Sequence, residues 1–317
     1  MRSNATTRPS WSRWGRSAYD TDADLRAERD ALGPLAEDQG YRQDAEVLVV
    51  TSGVRVDADL LDAAPSARLV VTTTSGYDHL VTDALRSRGV AAARLPLVRR
   101  DAVVDASLEL LIAGLRRSGW LRAQGRAGRW ARGSLPGLGM RTLRGSTIGV
   151  VGLGVIGARL AEVLGVLGAE VLGCDPARSV PGVRPVGVDE MLAEADAVSL
   201  HCHLTPATRG LLSGARLAAA RPGLVVVNTA RGPVLDLPAA LDLLDSGHLA
   251  AVGVDVFPEE PYPHLARSAS SPGLLLTPHA SGYHDGLPER VREGLVATLA
   301  AWRGGHTLPH PVPLPPR

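Results

Sequence analysis

Short apolar runs alternate with amphipathic segments along most of the chain, and this alternation predicts strands and helices in turn. Runs of valine, leucine and isoleucine without polar alternation are typical of parallel strands buried on both faces. The predicted strands are residues 47–50, 69–72, 148–151, 171–174, 197–200, 224–227, 251–254 and 274–276. The predicted helices are residues 22–37, 58–64, 77–88, 101–117, 155–167, 188–195, 213–220, 238–246 and 287–303. Repeated βα units predict an α/β protein with doubly wound parallel sheets and right-handed crossovers.

Four segments depart from this alternation. Residues 1–21 are interpreted as a flexible lead, so the first half has no clear opening strand. Residues 101–117 are apolar on too many faces for a surface helix, and we expect that helix to be buried between layers. Residues 124–139, rich in glycine and arginine, predict a linker. The proline-rich tail after Trp302 is expected to be irregular.

Three glycines, Gly152, Gly154 and Gly157, follow a predicted strand at G-x-G-x-x-G spacing and open a predicted helix. The first permits a tight turn, the second lets a pyrophosphate approach the backbone, and the third lets the helix pack closely on the sheet. Asp175 ends the next strand and can accept hydrogen bonds from an adenosine ribose. Its carboxylate would repel a 2′-phosphate and so favours NAD over NADP, although Arg178 weakens that preference. A turn that binds nothing is the alternative, but strand, glycines, helix, strand and acid stand in the order of a dinucleotide site.

Composition bounds the remaining possibilities. The 317 residues fit two domains, and a net charge of +1 gives no argument for nucleic acid or a membrane surface. No apolar run is long enough to span a bilayer and no secretory signal is evident, so a cytoplasmic location is expected. Cys174 and Cys202 are expected to be buried thiols rather than a disulfide or a metal pair. All 34 basic residues are arginine, so a single arginine carries less functional information than usual.

Polar side chains follow four of the predicted strands at the point where each strand ends. They are His201, Arg231, Asp255 and His279, and Glu260 lies in the loop after Asp255. In open α/β sheets ligands sit beyond the carboxyl ends of the strands. We therefore expect these side chains to share one edge with the glycine loop.

These residue types suit hydride transfer to or from a 2-hydroxy acid. Arg231 can grip a carboxylate or a 2-oxo group with its planar fork. His279 can exchange the hydroxyl proton, since its charge changes near neutral pH. Glu260 could orient the imidazole and hold its pKa up. A bound nicotinamide cofactor would supply the redox step.

Five segments together carry a family resemblance: LRGSTIGVVGLGVIG, LHCHLTPATRGLL, VVVNTARGPVLD, AVGVDVFPEEP and LLLTPHASG. They cover most of residues 143–282 in the order and spacing of the D-isomer-specific 2-hydroxyacid dehydrogenases. The resemblance implies a Rossmann-type NAD-binding domain and a smaller flavodoxin-like substrate domain. It implies an NAD-dependent dehydrogenase of small 2-oxo or 2-hydroxy acids, acting as a 2-oxoacid reductase in the cell.

The resemblance also assigns roles. Arg231, Glu260 and His279 would be catalytic, and Asp255 would contact the nicotinamide carboxamide. The predicted cofactor-binding residues are Gly152, Gly154, Val155, Ile156, Gly157, Asp175, His201, Thr205, Ala230, Asp255 and Gly282. The predicted substrate-binding residues are Ser75, Gly76, Arg99 and Arg231, with the backbone N–H groups of Ser75 and Gly76 holding the substrate carboxylate. No metal site is expected, because no nearby set of carboxylates or thiols completes a site at His201 and His203.

The domain assignment follows from the same segments. Residues 118–285 are predicted to form the NAD-binding domain, and residues 1–117 with 286–317 a discontinuous substrate domain. A homodimer is implied by the resemblance, with the region 108–130 as a candidate interface. The small-molecule acid and a second copy of the chain are the expected partners.

Departures from the family pattern leave alternatives open. His203 stands where proline is usual, and Arg99 and Arg100 stand where an asparagine often occurs. The arginines are interpreted as a solvated pair or, alternatively, as the receptor for a second anion on the substrate, such as a phosphate or phosphonate. The missing opening strand favours a different function, an NAD-sensing regulatory protein that keeps the fold. A formate- or phosphite-type dehydrogenase is a third possibility.

Overall fold

Two sheets organise the chain, and every strand pair in the described residues is parallel. The computed structural model describes residues 8–40, 44–266 and 270–315. The chain divides into two compact units, Met1–Arg99 with Tyr283–Arg317, and Arg100–Gly282. The predicted α/β class with two parallel sheets is confirmed.

The first unit holds a five-stranded sheet. Its elements in chain order are β1 (Ser10–Trp14), α1 (Asp22–Leu32), β2 (Glu37–Asp38), β3 (Val47–Val50), α2 (Ala58–Ala63), β4 (Leu69–Thr72), α3 (Thr82–Ser87) and β5 (Ala91–Arg94). The strand order is β2-β1-β3-β4-β5. One face of the sheet packs an apolar cluster that includes Trp11, Val49 and Val71, and the other face one that includes Leu48, Val50 and Val70.

The second unit holds a seven-stranded sheet with the order β12-β11-β10-β9-β6-β7-β8. Its elements are α4 (Arg100–Leu115), α5 (Ser118–Arg126), a 3₁₀ helix (Ala131–Ser134), β6 (Thr147–Val151), α6 (Val155–Val166), β7 (Glu170–Cys174), β8 (Arg184–Pro185), α7 (Val188–Glu194), β9 (Ala197–Leu200), α8 (Gly214–Ala218), β10 (Leu224–Asn228), a 3₁₀ helix (Gly232–Val234), α9 (Leu237–Asp245), β11 (Leu249–Val254) and β12 (Leu274–Leu276). The last helix, α10 (Leu287–Arg303), returns to the first unit. No helix within the described ranges has the length and apolar character needed to cross a membrane.

The long helix α4 is buried, as its composition predicts. An added Cβ at Gly114 would lie 2.5 Å from the Val225 Cγ1 atom and 3.2 Å from the Ala251 Cβ atom, so α4 packs directly on β10 and β11. For this reason α4 belongs to the second unit, whereas the sequence assigned residues 101–117 to the first domain. The unit boundaries accordingly fall at Arg99/Arg100 and Gly282/Tyr283, not at residues 117/118 and 285/286.

The prediction of a flexible lead over residues 1–21 is wrong for β1, which lies between β2 and β3; residues 1–7 are outside the described part. Within β1 the side chains of Trp11 and Ser12 are 1% and 0% exposed. The Ser12 hydroxyl donates to the Gly40 carbonyl at 2.5 Å, and the Arg13 guanidinium binds Glu28. The first unit therefore has an opening strand, which the sequence pattern did not predict.

Other element predictions differ less. Strands 47–50, 69–72, 197–200 and 274–276 and helix 287–303 are confirmed residue for residue. Strand β5 was not predicted, and only Thr82–Ser87 of the predicted helix 77–88 is helical. The predicted linker 124–139 begins inside α5 and contains the 3₁₀ helix Ala131–Ser134.

Removing the buried indole of β1 should destabilise the protein strongly. We expect Trp11→Ala to lower the free energy of unfolding by about 3–5 kcal/mol, because the burial of the indole is lost and the surroundings relax only partly into the cavity. Urea titration followed by far-ultraviolet circular dichroism measures this. Arg16→Ala, in the exposed turn after β1, is the control and should change stability by less than about 0.5 kcal/mol. Equal effects of the two substitutions would contradict the buried strand.

Candidate functional site

The glycine loop after β6 has the shape that a bound pyrophosphate needs. Gly152 has φ +88°, and an added Cβ there would lie 2.6 Å from the backbone nitrogen of Cys202. An added Cβ at Gly157 would lie 1.9 Å from the Gly152 carbonyl oxygen, so only glycine lets α6 approach the loop. Nothing lies within 4 Å of the Cβ position at Gly154, the first residue before α6. Within the described residues no side chain caps the first turn of α6, which leaves its N–H groups to a phosphate.

Asp175 follows β7 beside this loop. One carboxylate oxygen accepts a hydrogen bond from the Leu153 N–H at 2.7 Å, and the other accepts from the N–H groups of Ala177 and Arg178 at 2.9 and 3.0 Å. These backbone donors hold the carboxylate in one orientation next to the glycines. The glycine loop and Asp175 together fit the adenosine and pyrophosphate parts of a dinucleotide.

The loop after β9 packs beneath the glycines. The imidazole of His201 forms a hydrogen bond with the Ser199 hydroxyl at 2.8 Å, and burial lowers the pKa of His201 to about 4. The ring is therefore neutral at physiological pH. Thr205 and Thr208 form a turn farther along this loop, in which the Thr205 N–H donates to the Thr208 hydroxyl at 2.8 Å.

The loop after β10 carries Arg231. The fully buried Asn228 side chain donates to the Arg231 carbonyl at 3.0 Å and accepts from the Ala230 N–H at 3.0 Å, which fixes the backbone on both sides of the arginine. An added Cβ at Gly232 would lie 2.0 Å from the carbonyl carbon of Phe257. This close approach brings the loops after β10 and β11 together.

His279 and Glu260 form a direct pair. His279 Nδ1 and Glu260 Oε2 are 2.7 Å apart, and Glu260 Oε1 accepts from the Phe257 N–H at 2.9 Å. Because an ionised carboxylate can only accept, Nδ1 is the donor to Glu260, and Nε2 is the second ring nitrogen, at which an imidazole can also exchange a proton. The positive charge of Arg231 acts on both partners, so all three predicted catalytic residues lie in one electrostatic neighbourhood.

The pair shifts both pKa values in directions that favour an ion pair. The hydrogen bond to Glu260 raises the pKa of His279, against the opposing effect of burial. Burial opposes ionisation of Glu260, but the hydrogen bonds from His279 and from the Phe257 N–H outweigh it and leave the pKa of Glu260 below its usual value. The imidazole is thereby kept protonated to higher pH than an isolated histidine.

A buried carboxylate supports the histidine loop. His279 has φ +52°, in the left-handed region that side chains other than glycine rarely adopt. The carboxylate of Asp255 is 0% exposed and accepts from the Thr277 hydroxyl at 2.7 Å and from the N–H groups of Ala280 and Ser281 at 2.8 and 3.1 Å. Asp255 thus holds the loop around His279; its contact with nicotinamide stays a prediction.

The first unit contains the loop predicted to bind the substrate carboxylate. Ser75 and Gly76 follow β4, and the Ser75 carbonyl accepts from the Arg94 guanidinium at 2.9 Å. The Thr74 hydroxyl donates to the Gly76 carbonyl at 2.8 Å. Side chains on both sides therefore fix the direction of the peptide groups in this loop.

The two arginines predicted as a pair differ in their surroundings. Arg100 opens α4 and binds Asp101, with N–O distances of 2.9 and 3.1 Å. Arg99 is partly buried and donates to the Thr73 carbonyl at 2.5 Å. The interpretation of both as solvated side chains is therefore wrong for Arg99.

The other predicted residues fall where their elements place them. Val155 and Ile156 lie in the first turn of α6, Ala230 is 9% exposed beside Arg231, and Gly282 is the last residue of the second unit. All predicted cofactor-binding residues belong to that unit, and Ser75, Gly76 and Arg99 belong to the first. In the parts of the chain that the structure describes, no three histidine, cysteine or acidic side chains are grouped as a metal site would need.

Several residues that shape the site were not predicted. Besides Asn228, the Ser107 hydroxyl of α4 lies 2.9 Å from the Thr229 hydroxyl, 122 positions along the chain. The one available signal was a serine on the apolar face of α4, because a buried hydroxyl needs a partner. Nothing in the sequence identifies that partner as Thr229.

The sequence is similar to those of known proteins. Residues 108–281 match the D-isomer specific 2-hydroxyacid dehydrogenase, NAD binding domain. D-3-phosphoglycerate dehydrogenase from Mycobacterium leprae is 38% identical over 223 residues, which are 69% of this chain and 42% of that protein. This chain thus matches less than half of that relative's length. A glyoxylate reductase from Thermofilum pendens is 31% identical over 274 residues, covering 84% of this chain and 81% of that protein.

Solved structures extend the similarity over both units. A protein from Thermus thermophilus superposes with a TM-score of 0.80 at 30% identity, covering 96% of this chain and 100% of that one. A glyoxylate reductase from Paecilomyes thermophila superposes with a TM-score of 0.83 at 25% identity, covering 96% and 98%. The chain belongs to the D-isomer-specific 2-hydroxyacid dehydrogenase family, and its second unit is the NAD-binding domain of that family.

Proposed function

We propose that the protein is an NAD-dependent dehydrogenase of small 2-hydroxy acids that works in the cell as a 2-oxoacid reductase. The observation that carries this proposal is the 2.7 Å hydrogen bond between His279 and Glu260 within the electrostatic reach of Arg231. A sensor that only binds the dinucleotide has no need of a tuned proton donor. The absence of an opening strand was the reason for considering a sensor, and strand β1 supplies that strand.

In the proposed reaction each residue has one task. The backbone N–H groups of Ser75 and Gly76 hold the substrate carboxylate, and the Arg231 guanidinium binds the 2-oxo group. Nε2 of the protonated His279 donates its proton to the carbonyl oxygen, while Glu260 holds the imidazole through Nδ1 and stabilises its charge. NADH, held by the glycine loop and Asp175, would supply the hydride. In the reverse direction neutral His279 accepts the hydroxyl proton.

The cofactor preference rests on Asp175. Its carboxylate is fixed by three backbone donors beside the glycine loop, where it can accept hydrogen bonds from the ribose diol. A 2′-phosphate at this place would meet a fixed negative charge. We propose NAD over NADP on this ground.

Activity should be measured as NADH oxidation across a panel of 2-oxoacids. We expect turnover with at least one of them, faster with NADH than with NADPH. His279→Asn should lower kcat by about 100- to 10,000-fold, because it removes the proton donor without changing the dinucleotide site. The matched control is His248→Gln, since His248 precedes β11 and binds the Leu217 carbonyl at 3.1 Å, away from the carboxyl ends of the strands.

The competing functions predict other results in that assay. NADH binding without turnover on any 2-oxoacid would support the NAD-sensing regulatory protein. Turnover of formate or phosphite with no 2-oxoacid reduced would support the third possibility. Full activity of His279→Asn would contradict the assigned proton donor.

The pH profile tests the role of Glu260. Since Glu260 raises the pKa of His279, the imidazolium persists to higher pH, and 2-oxoacid reduction should decline only as pH rises through that pKa. Glu260→Gln keeps an acceptor but removes the charge, so the pKa of His279 should fall and the declining limb should move to lower pH. The plot of log kcat/KM against pH measures this shift.

The neighbouring carboxylate provides the control for this experiment. Glu259 is exposed, and Glu259→Gln should leave the declining limb where it is in the unaltered enzyme. A limb that stays in place in Glu260→Gln would mean that another group sets the pH dependence.

We also propose a homodimer that forms through the region 108–130. Trp130 is 89% exposed, Leu121 36% and Ile112 38%, and none of the side chains of α5 is buried. Burial of this apolar surface would favour association. The proposed location is the cytoplasm, whose reducing conditions suit the two free thiols of Cys174 and Cys202.

Sedimentation velocity tests the dimer. We expect a species of twice the 33.2 kDa chain mass, and Trp130→Glu should shift it towards the monomer. Val166→Glu is the control, because Val166 is also 80% exposed but lies outside the region 108–130. A monomer before any substitution, or the same shift in both variants, would contradict the proposed interface.

A further inference from the structure

Arg99 differs from the neighbouring arginines of the first unit in what its guanidinium contacts among the described residues. Its guanidinium is partly buried and donates one hydrogen bond, to the Thr73 carbonyl at 2.5 Å. Among the described residues no carboxylate oxygen lies within 4.0 Å of it, the limit for an ion pair. A guanidinium has five N–H donors, and taking its charge out of water is costly unless a negative group pairs with it.

The neighbouring arginines are committed to protein groups. Arg13 binds Glu28 and also Asp20, the latter at 2.8 Å. Arg100, the next residue in the chain, binds Asp101 at 2.9 Å. Because all 34 lysine-or-arginine positions of this protein are arginine, residue type does not distinguish one cationic side chain from another. The groups that each guanidinium binds do distinguish them.

The charges around Arg99 do not neutralise it. Burial lowers the pKa of Arg99, while Tyr19 and Asp20 oppose that effect and Arg13 adds to it. The carboxylate of Asp20 is already bound by Arg13 and by the Ser17 N–H, at 2.8 and 2.9 Å. Asp20 therefore acts on Arg99 through electrostatic attraction at a distance and does not form an ion pair with it among the described residues. The positive charge of Arg99 stays available to a ligand.

The position of Arg99 indicates what that ligand is. Thr73, whose carbonyl Arg99 binds, stands two residues before Ser75 in the loop that is proposed to hold the substrate carboxylate. We propose, on the basis of the function proposed above, that Arg99 receives a second anionic group of the substrate. The preferred substrates are then 2-oxoacids that carry an additional carboxylate or phosphate.

A purely structural role would leave a different signature. If Arg99 only braced the loop through the Thr73 carbonyl, its loss would impair all 2-oxoacids alike. If it receives an anion, its loss acts on the doubly charged substrates selectively. The ratio of kcat/KM values for doubly and singly charged substrates separates the two roles.

The experiment compares pyruvate and glyoxylate with oxaloacetate, 2-oxoglutarate and 3-phosphohydroxypyruvate in the unaltered enzyme, Arg99→Gln and Arg99→Lys. We expect the unaltered enzyme to favour at least one doubly charged acid. Arg99→Gln should lower the ratio of doubly to singly charged kcat/KM by about 10- to 100-fold, the effect of losing a charged hydrogen bond. Arg99→Lys should restore part of the ratio, since it keeps the charge but not the fork. Comparison of oxaloacetate and 2-oxoglutarate with 3-phosphohydroxypyruvate shows whether Arg99 prefers a second carboxylate or a phosphate.

Arg100→Gln is the matched control. It also removes one positive charge, at the next position in the chain, but the guanidinium that it removes is bound to Asp101. It should keep the ratio of the unaltered enzyme. An equal loss on all substrates in Arg99→Gln, an unchanged ratio, or a preference of the unaltered enzyme for pyruvate and glyoxylate would each overturn the proposal.

Calorimetric titration of 2-oxoglutarate and pyruvate, with NAD present, separates this proposal from the proposed function. If no 2-oxoacid is turned over, the proposed function fails while the binding data still decide on Arg99. Weaker binding of 2-oxoglutarate alone in Arg99→Gln would support the receptor. Equal binding of 2-oxoglutarate by the unaltered protein and by Arg99→Gln would overturn it. Melting temperatures of the variants show that each is folded.

Discussion

The geometry of the proposed catalytic pair depends on the buried carboxylate of Asp255. A histidine held at positive φ costs about 1–3 kcal/mol, and such a conformation persists only where its surroundings fix it. Three donors of the loop 277–281 converge on Asp255, and hydrogen bonds to a charged acceptor are roughly twice as strong as neutral ones. Glycine would relieve the strain at position 279 but would remove the imidazole. The loop therefore keeps a strained histidine and compensates with a buried charge.

Parallel strand topology then brings the partners together. The loops after β10, β11 and β12 leave the same edge of the sheet because all these strands run in one direction. Gly232 lets the first two loops touch, and the Phe257 N–H in the second loop orients Glu260 towards His279. An acid, a base and a cation that are 19 or more positions apart thus act on one another. The fold brings these side chains close together, and their mutual interactions shift the pKa values of Glu260 and His279.

The sequence predicted those parts of the molecule in which one local signal decides the structure. Apolar strands buried on both faces and the spacing of Gly152, Gly154 and Gly157 are signals of this kind. Strand β1 was missed because three of the five residues of its sequence, SWSRW, are polar. Its Ser12 and Arg13 bind Gly40 and Glu28, which lie far along the chain. Strand β5 was missed because alanine has little strand preference. Tertiary partners decided both strands, and no local pattern records them.

Arginine illustrates the same limit on the functional side. In a protein whose 34 basic residues are all arginine, composition gives no reason to single out one of them. The motif around Arg231 identified that residue, because NTARG is a specific pattern. Arg99 and Arg100, adjacent and alike in sequence, differ only once their acceptors are known: a backbone carbonyl for the first and a carboxylate for the second. A guanidinium bound to a carboxylate has already met its counterion, whereas one that donates to a backbone carbonyl has not met it through that bond. The partner of each fork, which only the folded chain defines, is therefore what separates structural arginines from candidate receptors.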